Sequence, residues 1–186
     1  MPAASQIKFL YFCYFSQPVA DRAIYRLVKR LKPSRILELG IGDGSRAKRL
    51  IEAAARFRPA AEMRYAGVDL FEARPADSAA RGLKLKDAHV LFKQLGVKAQ
   101  LLPGDPNGAL SRSANALRDN DLVLIAEDQN AASLEQAWFY IPRMLHARSV
   151  VLRETTDAEG VRSWREIPRD EIDSFAAAQK VRRRVA

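Results

Sequence analysis

Three glycines at alternate positions constrain this chain more than any other feature. They close the stretch Ile36-Leu-Glu-Leu-Gly-Ile-Gly-Asp-Gly44, a short apolar run carrying one acid. Ser45-Arg-Ala-Lys-Arg-Leu-Ile51 follows with the spacing of a helix. Strand, glycine-rich turn and helix are how an α/β protein brings bare backbone against a nucleotide-like ligand. Glycine is needed there because a side chain blocks that approach, and because the turn uses backbone angles that other residues avoid. The dinucleotide fingerprint G-x-G-x-x-G is not met, since Ser45 holds its sixth position. The pattern is E-x-G-x-G-x-G. Taken alone, these nine residues also fit an ordinary strand-to-helix turn in another α/β domain.

The rest of the chain repeats the alternation. Ala20, Ala23, Ile24, Leu27, Val28 and Leu31 share one face of a helix expected over 19–31, whose other face carries Arg22, Arg26, Lys29 and Arg30. Pro18 and Asp21 suit its first turn, and Pro33 lies past its end. Strands are expected near 35–39, 64–70, 97–102, 121–126 and 149–153, with helices over 44–57, 85–95, 108–118 and 132–146 between them. Residues 72–82 read as a surface loop. Strands spaced by helices imply a parallel sheet with right-handed crossovers. The end departs from this pattern. Val150–Glu154, the turn Asp157-Ala-Glu-Gly160 and Val161–Ile167 read as a β-hairpin, followed by a helix over 169–182. A length of 186 residues fits one domain, 1–186, with a helical and aromatic N-terminal extension over 1–32.

E-x-G-x-G-x-G resembles motif I of the class I S-adenosylmethionine (SAM) dependent methyltransferases, and the resemblance extends over about residues 35–130. It implies a SAM cofactor and a Rossmann-like, doubly wound sheet. Five parallel strands in order 3-2-1-4-5, helices on both faces, and an antiparallel edge strand beside the fifth are then expected. Gly40, Gly42 and Gly44 would face the ligand, and Glu38 would help to hold its methionine end; otherwise Glu38 is a costly acid in a buried strand. The family's ribose acceptor is the acid ending the second strand, here Asp69, 25 residues after Gly44. A carboxylate has two oxygens for two hydroxyl donors. Leu70 and Phe71 would pack against adenine or, equally, join the core. Asp105 falls where the family places a polar group near the adenine amino nitrogen. Gly104-Asp105-Pro106 is also a helix N-terminus, with aspartate capping and proline at the first position.

The methyl-accepting side is far less marked. The N/D-P-P-Y of many amino-nitrogen enzymes is replaced by Ala126-Glu-Asp-Gln129. Cys13 lies in the wrong part of the chain for a pyrimidine C5 nucleophile. Glu127, Asp128 and Glu154 imitate a metal-dependent carboxylate set, but the usual aspartate-asparagine pair after the fifth strand is missing, and no metal is expected. Glu127 is the candidate general base, at a strand end that faces the crevice; it can equally cap a helix or pair with an arginine.

Charge and composition bear on partners. Residues 1–60 hold 12 basic and 4 acidic groups, nearly all of the net +9. That excess suits a small acidic acceptor or nucleic acid, or else only decorates solvated helices. Methyl transfer to an oxygen or nitrogen of a small molecule is the main reading. A non-catalytic SAM-binding or interaction protein of the same fold, and a nucleic-acid methyltransferase, are the alternatives. One cysteine and two separated histidines exclude an internal disulfide and fit a reducing cytoplasm. No membrane span or signal peptide is expected, the longest apolar run being Phe9–Phe15. Phe9, Tyr11, Phe12, Tyr14 and Phe15 are too many large groups to leave in water at roughly 1.5–3 kcal/mol each. They are expected in an extended segment that covers the crevice mouth or a sheet face, or pairs two copies into a homodimer.

Overall fold

A computed structural model describes residues 5–75 and 82–185. Six strands make one sheet: β1 (Arg35–Leu39), β2 (Arg64–Asp69), β3 (Lys98–Pro103), β4 (Asn120–Ile125), β5 (Leu145–Thr156) and β6 (Arg162–Glu166). Their order is β3-β2-β1-β4-β5-β6, parallel throughout except for the antiparallel β5–β6 pair. The sheet reverses direction of winding between β1 and β4, which leaves a crevice at their carboxyl ends.

Alternation along the strands divides the core. Ile36, Tyr65, Leu122, Leu124, Val150 and Leu152 face the layer of α1 (Gln6–Tyr14), α2 (Arg22–Leu31), α3 (Ser45–Ala54) and α4 (Leu85–Leu95). Leu37, Leu39, Val68, Val123, Ile125 and Val151 face α5 (Pro106–Ser113), α6 (Ala131–Ala137) and α7 (Arg169–Val185). Successive residues of a strand point to opposite faces, so Glu38 shares the α1–α4 side with Ile36.

The hairpin at the edge forms as its turn residues direct. Gly160 takes φ +79°, and Asp157 Oδ1 accepts the amides of Glu159 (3.1 Å) and Val161 (2.8 Å). At the opposite end of the strands, Asp121 laces β1, β4 and β5 together. Its Oδ2 accepts the amides of Ser34 (2.6 Å) and Arg35 (2.9 Å), and Oδ1 meets His146 Nε2 at 3.1 Å.

Three expectations change. The aromatic run is helical: Ser5 caps α1 by accepting the Lys8 amide at 3.2 Å. Phe9, Phe12 and Cys13, spaced three and four apart, enter the core, which is a helical rather than an extended period. Phe12 lies 5.5 Å from the Tyr25 ring and Phe9 meets Phe57 edge-on at 5.7 Å. Ile7, Leu10, Tyr11, Tyr14 and Phe15 form the opposite, exposed face. The helix expected over 132–146 ends at Ala137 and gives way to a 3-10 turn at Ile141–Met144. Pro142 explains this, because it lacks the amide donor that a continued α-helix needs there and its ring crowds the carbonyl four residues back. Strand β5 consequently starts earlier than expected, at Leu145. Of the loop expected over 72–82, residues 76–81 lie outside the described ones; Phe71–Ala73 form a 3-10 turn. Among the described residues no helix is long and apolar enough to cross a membrane.

Candidate functional site

The glycine turn runs from the end of β1 into α3, and its three glycines do different things. A Cβ on Gly40 would come within 2.4 Å of Gln129 and 2.8 Å of Ala126, so Gly40 lets β1 pass close under the loop after β4. A Cβ on Gly44 would meet Leu83 at 2.6 Å and Leu91 at 2.8 Å; Gly44 serves packing against α4. A Cβ on Gly42 would meet nothing within 4 Å, and Gly42 has φ +62°. Its backbone therefore stands bare at the crevice.

Asp69, ending β2, is 3% exposed and accepts the Gly42 amide on Oδ2 at 3.0 Å. Its Oδ1 accepts the Phe71 amide at 3.0 Å and Arg74 Nη2 at 2.6 Å. Arg74 Nη1 also reaches Asp128 at 3.3 Å, while its Nε is buried without a partner among the described residues. Oδ2 thus keeps acceptor capacity, and Oδ1 is available to another donor only in exchange for Arg74. Leu70 is half-buried and lines the same cavity, of about 390 Å³, with Asp69, Arg74, Asp105 and Asp128. Phe71 belongs to the core instead.

Asp105 is the N-cap of α5. Its Oδ1 accepts the Gly108 amide at 3.0 Å and also takes the Ser133 hydroxyl. The Ser133 bond and then the Gly108 amide hold its carboxyl below the ordinary range. The cap and the cavity wall are therefore one residue.

Across the glycine turn lies a second cavity of about 430 Å³, lined by Gly40, Gly42, Asp21, Arg46, Glu127 and Glu154 among others, with Asp128 common to both. Glu38 sits beneath its floor, fully buried. Arg46 Nε donates to Glu38 Oε1 at 2.6 Å and the Tyr65 hydroxyl to Oε2 at 2.5 Å. Arg46 Nη2 donates to the Gly40 carbonyl at 2.7 Å, and Nη1 lies 3.7 Å from Glu154. Burial pushes the Glu38 carboxyl up; the Arg46 guanidinium pulls it back. Glu38 accordingly shapes the turn through Arg46, whose guanidinium also stacks 5.0 Å from the Trp164 ring.

Among the described residues Glu127 neither caps a helix nor pairs with an arginine. Its carboxylate accepts the Thr156 amide at 3.0 Å and the Thr156 hydroxyl, tying the end of β4 to the end of β5. The larger cavity sets the carboxylates of Asp21, Asp43, Glu127, Asp128 and Glu154 against the guanidiniums of Arg46 and Arg162. The basic excess of the first third lies elsewhere, on the exposed Arg26, Lys29 and Arg30 of α2. A third cavity, about 260 Å³, opens at the far end of the strands beside Arg35, Arg64 and Lys98. It is away from the carboxyl ends, where α/β sheets bind ligands.

Sequence reasoning misses Asp21, Arg46, Arg74 and Trp164 as members of this site. Asp21 shows in the sequence only as an acid suited to a helix's first turn, and in the structure its side chain makes no cap bond there.

No protein-family model matches the chain, and no curated protein matches it in sequence. Solved structures do share its fold. An O-methyltransferase of Bacillus cereus, solved with S-adenosylhomocysteine (SAH), superposes with TM-score 0.56 at 14% identity, covering 90% of this chain and 70% of that one. An O-methyltransferase of Streptomyces achromogenes, involved in tomaymycin synthesis and solved with SAM, gives 0.54 at 15%, over 89% and 68%. A SAH-bound methyltransferase of Podospora anserina gives 0.53 at 15%, over 97% and 75%.

Proposed function

We propose that this protein binds SAM in the crevice beside β1, β2 and β4 and transfers its methyl group to an oxygen or nitrogen of a small molecule. One observation carries the reading: the bare Gly42 backbone, bonded to the buried Asp69 carboxylate, stands at the point where the sheet reverses. The donor set suits the cofactor. Asp69 offers acceptor capacity to a ribose diol, Leu70 an apolar wall and Asp105 a polar one, in the order the methyltransferase resemblance assigns them. Gly42 leaves the backbone approachable, while Gly40, Gly44 and Glu38 hold the turn in shape. When bound, SAM supplies an electrophilic sulfonium methyl. The chain's own part is to hold the nucleoside, to fix the turn through Arg46, and to present the acidic wall of the 430 Å³ cavity to the acceptor. That wall favours a neutral or basic acceptor over the acidic one that net charge alone suggests.

The pairing of Glu127 with Thr156 favours a second reading, a SAM-binding protein without turnover, because the nearest candidate base is already engaged. The exposed apolar face of α1 fits that reading too, as a surface that a second copy covers in a homodimer. Calorimetric titration with SAH and with NAD, followed by a methyl-release screen over neutral, basic and acidic acceptor pools, separates the readings. SAH binding with methyl release supports the enzyme, and SAH binding with no release supports the second reading. Heat with NAD and none with SAH overturns both.

A further inference from the structure

The methionine end of SAM carries an ammonium group, and the family resemblance offers Glu38 for it. In this chain Glu38 lies beneath the 430 Å³ cavity and does not line it. It is wholly buried, with one oxygen on Arg46 and the other on Tyr65. Breaking either bond to free it strands a buried charged group, which is costly.

Asp21 is differently placed. It comes from the 3-10 turn Val19–Asp21 ahead of α2, is 3% exposed, and lines the 430 Å³ cavity together with Gly40 and Gly42. Its Oδ1 accepts the Trp164 indole N–H at 3.1 Å. Among the described residues no donor reaches Oδ2. Arg46 does not supply one, because its guanidinium is committed to Glu38, the Gly40 carbonyl and Glu154. A buried carboxylate with one open oxygen beside a ligand cavity lacks a cation or donor there.

We infer that Asp21, rather than Glu38, receives the ammonium of the amino-acid end of the cofactor. The inference rests on the SAM reading given above. Trp164 orients the carboxylate through Oδ1 and leaves Oδ2 for the ligand, so recognition of the amino-acid end depends on a contact between the N-terminal segment and the edge hairpin. Burial, opposed by Arg46, pushes the Asp21 carboxyl up. A cation arriving from the ligand reverses that.

Calorimetry with SAH and with 5′-methylthioadenosine, which keeps the nucleoside thioether and lacks the amino-acid end, tests this. Asp21→Asn should weaken SAH by about tenfold or more, the scale of a charge-assisted bond, and leave methylthioadenosine within about twofold. An unchanged SAH affinity, or an equal loss for both ligands, overturns the inference. A wild-type comparison of SAH with its des-amino analogue decides the matter should Asp21→Asn not fold: equal affinities overturn it. Wild type that binds neither SAH nor methylthioadenosine overturns the SAM reading itself, and this inference with it. Wild type that binds methylthioadenosine and SAH equally leaves nucleoside binding standing and sinks the role of Asp21.

Discussion

Trp164 donates its indole N–H to Asp21 across 3.1 Å and 143 residues of chain. The bond joins the last strand of the sheet to the turn that opens α2, and it fixes Asp21, which lines the larger cavity. Among the described residues it is the one hydrogen bond to the buried Asp21 carboxylate, which has a consequence for stability.

Because its folded value is raised, ionised Asp21 is a cost to the free native state. That cost is absent below the ordinary value of 3.8, sets in as pH rises toward the folded value, and is complete above it. Asp21→Asn, which still accepts from Trp164, should therefore be more stable than wild type at pH 7 and converge with it below about pH 4. Melting temperatures over pH 3.5–8 check this; parallel curves for the two proteins would contradict it.

Asp121 has the opposite sign. Burial raises it, and the amides of Arg35 and Ser34, the Ser34 hydroxyl and His146 more than reverse that. Its stabilisation is full above the ordinary 3.8 and is lost as pH falls through the depressed folded value. Asp121→Asn should cost about 1–3 kcal/mol at pH 7 and flatten the acid limb of the stability profile. Urea melts at pH 3, 5 and 7 provide the comparison.

The glycines separate packing from ligand access. Alanine at Gly42 or at Gly44 bears a similar cost for positive φ, roughly 1–2 kcal/mol. At Gly44 the new methyl also runs into Leu83 and Leu91, adding about 1–3 kcal/mol. Gly42→Val should abolish measurable SAH binding while the protein still melts cooperatively. Denaturant melts of the alanine pair, with SAH titration of the valine variant, show whether the order is as stated.

On the SAM reading, Arg74 stands on Oδ1 of Asp69, the oxygen that a second ribose hydroxyl would need. Arg74→Ala should lower the melting temperature of the free protein and enlarge the further rise on adding SAH. Asp69→Ala should weaken SAH by about 1.5–3 kcal/mol. It should also destabilise the free protein, because the Gly42 and Phe71 amides and Arg74 all lose their acceptor. Thermal shift with and without ligand reads both, and a smaller ligand shift in Arg74→Ala refutes the exchange.

The exposed face of α1 predicts an oligomer. Light scattering should find a dimer for wild type and a monomer for the Tyr14→Ser, Phe15→Ser double variant, with the melting temperature little changed since neither ring is in the core. A monomeric wild type removes the proposal.

What was legible in the sequence follows from periodicity. The glycine turn and the β5–β6 hairpin are written in local patterns, and each formed. The strand order came instead with the family resemblance, and the sheet has it; Asp69, singled out by the same resemblance, ends β2 against the glycine turn. The α1 helix was hidden because its aromatic residues favour strands locally, and only the spacing of Phe9, Phe12 and Cys13 against α2 and α3 makes it helical. Pro142 stands in the sequence inside the helix expected over 132–146, and the structure ends that helix before it. The partners of charged groups were not legible. Nothing local tells Glu38 that Arg46 and Tyr65 will take both of its oxygens, or Asp69 that Arg74 will cover it. Such choices are made by tertiary contact, and they decide which acids remain free for a ligand.

The span between Asp21 and Trp164 also has a bearing on synthesis. At about 5–20 residues per second, a ribosome adds Trp164 roughly 7–30 s after Asp21. For the later part of that interval the glycine turn and β2 are already made, while Asp21 still lacks the indole that orients it. On the SAM reading, the nascent chain would acquire its nucleoside cleft before its amino-acid pocket, and full selectivity for the ligand would be the last property of the molecule to arrive.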